Sequence, residues 1–200
     1  MVTAARPGPW ARLRPALFLC LASAFVLASG RARGEDAPAA ALSDYRIKAA
    51  YLYYFTTFVD WPPDTFSKSG DALVIGVLGE DPFGAVLDET LRGKTVKDRP
   101  LRVKRFASIK EARDSHILFI SSSEQDRLAS ILKALEGTTV LTVGEIDHFA
   151  SRGGEIGFRV EDRKVRFDIN VTAVERARLK VSAQLMKLGH IVEEPGRQGG

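Results

Sequence analysis

Cysteine is almost absent from these 200 residues: the one example, Cys20, lies in the N-terminal stretch. No disulfide framework and no cysteine-ligated metal can hold the folded part, which must rest on its hydrophobic core. Histidine is scarce as well. His116, His148 and His190 stand far apart with no i,i+4 pairing, so no metal site is expected. There is no Gly-x-Ser-x-Gly elbow, no phosphate loop and no dinucleotide fingerprint. Gly76-Val-Leu-Gly79 lies inside and at the end of an apolar run instead of opening a helix. The paired acids Glu80-Asp81, Asp88-Glu89 and Glu161-Asp162 read as solvated turns with nothing of a glycosidase around them. These absences argue against an enzyme, and no cofactor is expected.

Acidic residues are missing from everything before Glu35. In that stretch Arg6, Arg12 and Arg14 precede an apolar run from Ala16 to Ala28, which ends at the small residues Ser29 and Gly30. This is the layout of a secretory signal peptide. The run is shorter than the roughly 20 apolar residues a membrane span needs. Cleavage after Gly30 or Gly34 fits, and residues 1–34 are assigned to the signal; Phe18 and Leu19 are too bulky for a lipoprotein signal ending at Cys20. The whole chain carries 29 Lys and Arg against 25 Asp and Glu, but five of the basic residues precede Glu35, leaving 24 against 25. A near-neutral mature chain has no electrostatic support for nucleic-acid binding. Its length of about 165 residues suits one domain with a real core.

Residues 35–42 are alanine-rich with one proline and are expected to form a loose lead-in, with the folded domain over 43–194 and a disordered Gly-rich tail over 195–200. Ser43 or Asp44 can cap a helix whose apolar positions include Ile47, Ala50, Tyr51, Tyr54, Phe55, Phe58 and Val59, ended by Pro62 and Pro63. Its aromatics exceed what one stripe can bury. They imply a second buried face, or a partner surface for which Tyr53, Phe58 and Trp61 are the candidates.

Leu73–Leu78 is an apolar strand that feeds a polar turn and a helix started by Pro82. Leu101–Phe106, a short helix over 109–113, Ile117–Ile120, a helix capped by the serines at 121–123, and a strand over 139–143 continue the alternation. Glu155–Val160 and Val165–Ile169 leave no room for a helix between them and form a hairpin. Val174, Ala177, Val181, Leu185, Leu188 and Val192 then recur at spacings of three and four, predicting one long final helix. The expected fold is α/β: a Rossmann-like mixed sheet, mostly parallel, with a C-terminal antiparallel hairpin and flanking helices.

In such sheets ligands gather beyond the carboxyl ends of the strands, which makes Gly79, Glu80, Asp81, Ser121 and Ser122 the candidate ligand-binding group. Turn and capping chemistry explains the same residues and is favoured over a pocket. Arg99, Arg102, Lys104 and Arg105 along one strand read first as the charged protection of a sheet edge.

Lys48-Ala-Ala-Tyr-Leu-Tyr-Tyr-Phe-Thr-Thr-Phe-Val-Asp-Trp-Pro62 resembles the opening helix of the YfiR family, and Val74-Ile-Gly-Val-Leu-Gly-Glu-Asp-Pro-Phe-Gly84 is similar to its first strand and turn. The resemblance continues through His116–Ser121, Leu141–Gly144, Gly153–Phe158, Val165–Asn170 and Leu179–Leu185, in the expected order. It implies a non-enzymatic periplasmic protein that binds and represses an inner-membrane signalling protein, a diguanylate cyclase, and so limits cyclic di-GMP signalling and biofilm formation. It also implies a homodimer and a small aromatic ligand. Several members carry a cysteine just before the His-Ile-Leu-Phe-Ile segment, where this chain has Ser115, so redox control by that route is not expected here. The alternative from a different class is a periplasmic solute-binding protein or hydrolase using the strand-end loops.

Overall fold

The computed structural model describes residues 36–66 and 71–193. The expected signal peptide and the tail from Pro195 lie outside them. Helix α1 (Asp36–Phe58) leads into strand β1 (Val59–Asp60), followed by β2 (Leu73–Leu78), α2 (Ala85–Leu91), β3 (Thr95–Val96) and β4 (Arg99–Phe106). Next come α3 (Ile109–Ala112), β5 (Ile117–Ile120), α4 (Leu128–Ala134), β6 (Leu141–Gly144), β7 (Ile156–Glu161) and β8 (Lys164–Asn170). The chain then forms α5 (Val171–Arg176), β9 (Lys180–Val181), α6 (Ala183–Leu188) and β10 (His190–Val192). Eight strands make one sheet in the order β10-β8-β7-β6-β5-β2-β4-β3. Neighbours run parallel except in the hairpins β7–β8 and β3–β4, so the expected mixed, mostly parallel α/β sheet is what forms.

The central strands explain the layering. Along β5, Ile117 and Phe119 join the cluster containing Ala49, Leu52 and Phe55 of α1, while Leu118 and Ile120 join the cluster containing Leu128 and Ile131 of α4. Alternate side chains face opposite layers of helix, so both faces are dry and the strand reads as an unbroken apolar run. Each large aliphatic or aromatic side chain so buried contributes about 1.5–3 kcal/mol.

Five local expectations are corrected. Helix α1 starts at Asp36, taking in the stretch expected as a loose lead-in; alanine is the strongest helix former and Pro38 falls in the first turn, where its missing N–H is tolerated. It stops at Phe58, ahead of the prolines, because Val59 and Asp60 pair with Val181 and Lys180 of β9. Within it Ile47 and Tyr54, expected on the buried stripe, are exposed, while Lys48, Ala49, Leu52, Phe55 and Thr56 are buried. Helix α2 opens at Ala85, three residues beyond Pro82, since residues 82–84 form a turn in which Asp81 accepts from the Phe83 N–H.

The fifth correction is the largest: the single final helix is instead α5, β9, α6 and β10. Arg178 sits at φ 58, a left-handed conformation that interrupts a helix. Val181 is drawn off to pair with Val59, and Ser182 restarts the chain as α6 by accepting from the Leu185 N–H at 3.2 Å. Gly189 has no room for a side chain against Phe167 and Ile169, which lets β10 lie parallel to β8 at the sheet edge.

Candidate functional site

The strand-end loops do converge. The Glu80 N–H donates to Ser123 Oγ at 3.0 Å. At Gly79 (φ 89) a Cβ would strike Ser123 and Glu124, so the first turn needs glycine for both conformation and space. Ser121 is buried and its hydroxyl accepts from the Ser123 N–H, capping the 3-10 turn that precedes α4. Ser122 is exposed. Gly79, Glu80, Ser121 and Ser122 are thus brought together, whereas Asp81 is engaged elsewhere, its Oδ2 accepting from Arg105 Nε at 2.9 Å. Arg105 also grips Asp88, at 2.5 and 3.0 Å, and this holds the Asp88 carboxyl below the ordinary range. Nearby, Lys48 of α1 reaches Glu145 at 2.6 Å with both side chains about nine-tenths buried. Tyr45 donates to the other Glu145 oxygen at 3.1 Å. Burial, reinforced by that carboxylate, pushes the Tyr45 phenol up to about 12.

The aromatics of α1 divide. Tyr51 and Phe55 turn inward onto Phe158 and Phe167 of the hairpin. Tyr53 and Phe58 are half-buried and are linked through the exposed Tyr54, with ring centroids 5.9 and 6.4 Å apart. Lys94 lies over the Tyr53 ring at 4.1 Å. Trp61 is not part of this strip: it packs edge-on to His116 at 6.4 Å, and its indole N–H is buried without a hydrogen-bond partner among the described residues. His116 stacks on Phe66 and its Nδ1 accepts from the Val74 N–H at 3.1 Å. Burial, helped by Arg99, lowers the imidazole to about 4, so it stays neutral.

A third region carries no motif in the sequence. Beside the first residues of β6 and β7, a groove of about 570 Å³ opens between the end of α4 and α5. Its inner wall carries the buried Glu155, whose Oε2 accepts from the Thr142 N–H at 2.8 Å and from the Thr142 hydroxyl. Burial pushes this carboxyl up to about 7, against the opposing pull of the Thr142 hydrogen bonds. Lys133, Glu136, Arg152 and Arg176 stand around the opening. The one available signal is a lone acid opening an otherwise apolar strand directly after Gly153-Gly154. Among the described residues, no group of three or more His, Cys, Asp and Glu is arranged to hold a metal. No described helix is long and apolar enough to cross a membrane.

With this geometry in place, comparison with known proteins is decisive at one point. Residues 45–190 match the model of the YfiR/HmsC-like family, a stretch that runs from within α1 to the start of β10. The chain belongs to the YfiR/HmsC-like family. A crystal structure of a conserved domain protein from Vibrio cholerae O1 biovar El Tor N16961 is similar at 9% identity and a TM-score of 0.51, covering 73% of this chain. This chain spans 60% of that protein's length, and the likeness is one of fold alone. No curated protein matches closely enough to carry a function across. Family membership therefore joins the α/β sheet, the aromatic α1 and the Ser115 position into one frame. In it Ser115 is buried and donates to the Ala112 carbonyl at 2.6 Å, a contact internal to the α3 turn.

Proposed function

We propose that the protein is an exported, non-enzymatic regulator that acts in the periplasm as a homodimer, binding and repressing a membrane-bound signalling protein, a diguanylate cyclase. The observation that carries this reading is membership of the YfiR/HmsC-like family over nearly all of the described fold. The Tyr53, Tyr54 and Phe58 strip supports a protein surface, because amphipathic aromatics are enriched at interface cores. Trp61 contributes by holding the end of α1 against His116.

The test is a crosslinked pull-down from membranes of the host with the protein as bait, read by mass spectrometry. Recovery of an inner-membrane cyclase, lost with Tyr54→Ala, is the expected result. A folded bait that recovers no signalling protein overturns the reading.

A further inference from the structure

The groove beside Glu155 has the features of a ligand site that the regulator reading leaves unused. Its volume, about 570 Å³, falls within the roughly 300–1,000 Å³ of small-molecule pockets. Leu132, Leu135, Val140 and Ala173 supply apolar lining. The charged groups at its mouth are mainly positive. Lys133 and Arg152 are exposed, and neither has an ion-pair partner among the described residues. Arg176 adds a third cation, engaged in further interactions of its own, against the single exposed acid Glu136. At the inner wall Thr142 engages one oxygen of Glu155, Oε2.

We propose that this groove binds a small organic oxyanion, a carboxylate or a phosphate monoester with an apolar body, held by Lys133 and Arg152 with the Glu155 carboxyl against its head group. The polarity selects this class. A cationic ligand would meet Lys133, Arg152 and Arg176 before reaching the acid, whereas an anion is drawn in by them and its apolar body rests on the lining. An ionised Glu155 would repel the bound head group; a neutral carboxyl can donate a hydrogen bond to it. Anion binding is therefore coupled to protonation of Glu155. Thr142 on β6 is bonded to that carboxyl, and the charged groups lining the groove with it are Arg176 on α5, Lys133 and Glu136 at the end of α4 and Arg152 in the preceding loop. Glu155 is the buried acid of the lining, and the pH response of the groove is assigned to it. Burial places its titration at about 7, so affinity falls up to about tenfold per pH unit above that point.

Isothermal titration calorimetry of the purified protein with cyclohexanecarboxylate and with cyclohexyl phosphate, at about pH 6 and about pH 8, tests the assignment. Saturable binding of either probe at the lower pH is expected, weakening about tenfold at the higher pH for cyclohexanecarboxylate, and a preference between the two at the lower pH names the head group. Glu155→Gln should bind cyclohexanecarboxylate, whose own charge is constant across this range, equally at both pH values. The surface double variant Lys133→Ala with Arg152→Ala, which folds whatever Glu155 contributes to the core, should lose at least about tenfold in affinity. No saturable binding of either probe at the lower pH, or binding undiminished in the double variant, overturns the site. A pH dependence of cyclohexanecarboxylate binding that persists in Glu155→Gln overturns the role of Glu155.

Discussion

Glu155 makes the stability of this protein depend on pH in a direction opposite to that of an ordinary salt-bridged carboxylate. Its carboxyl is raised from 4.5 to about 7 in the folded state. A raised carboxyl contributes stability that is fully present below the unfolded value and is lost as pH rises through the folded one. At about 1.4 kcal/mol per pKa unit, the loss from about pH 4 to about pH 9 is about 3 kcal/mol, steepest between the two values. His116 acts in the other sense. Its imidazole is lowered to about 4, so its contribution is present above the ordinary histidine value and is lost as pH falls through the folded one. The wild-type curve alone mixes the two. The assay is urea denaturation of wild type and Glu155→Gln across that pH range, read as the difference between them, because the substituted amide keeps an oxygen for the Thr142 N–H but cannot titrate. With a urea slope of about 2 kcal/mol/M, the midpoint of wild type should fall relative to the variant by roughly 1.5 M. Parallel midpoints across the range would refute the burial argument.

The Lys48–Glu145 pair, short and nearly dry, should cost about 3–5 kcal/mol when one partner is removed as in Lys48→Met, and much less when Glu145→Leu is added; a denaturant double-mutant cycle measures it. Asn170 is fully buried, caps α5 by accepting from the Ala173 N–H at 2.9 Å and donates to the Ala150 carbonyl at 2.8 Å. Asn170→Ala should lower stability by about 3 kcal/mol in thermal or chemical unfolding. Asp162 and Arg163 turn the β7–β8 hairpin at φ 50 and 59, so replacing them with Asn-Gly should add about 1 kcal/mol, seen as a higher unfolding midpoint. Tyr54→Ala, at a position 49% exposed, should leave stability within about 0.5 kcal/mol while abolishing partner capture.

The site residues are legible in the sequence to different degrees. Ser121 and Gly79 can be placed because a strand end, a serine run and a glycine are local signals, and the structure does set their loops side by side. Aromatic excess points to Tyr53 and Phe58, but not to Tyr54 joining them, because which side of a helix remains open depends on what the sheet and hairpin cover. Trp61 reads as surface in the sequence, yet it packs on His116, a residue with no sequence relation to it. The groove's local signature is a single acid after Gly153-Gly154, because Glu155 and Thr142 are brought together only by the β6–β7 pairing.

The amino-acid sequence by itself determined the α/β class, the central strands and the two hydrophobic layers, since a strand buried on both faces must be apolar at every position, and that shows in four residues such as Ile117–Ile120. Only the tertiary structure decided the C-terminal third. Spacings of three and four among Val174, Ala177, Val181 and Leu185 satisfy a helix, but they are equally satisfied by two short helices and two strands once Val181 finds Val59 and Gly189 admits β10 against β8. Local periodicity states which residues want burial; the neighbours available to bury them select the backbone that achieves it.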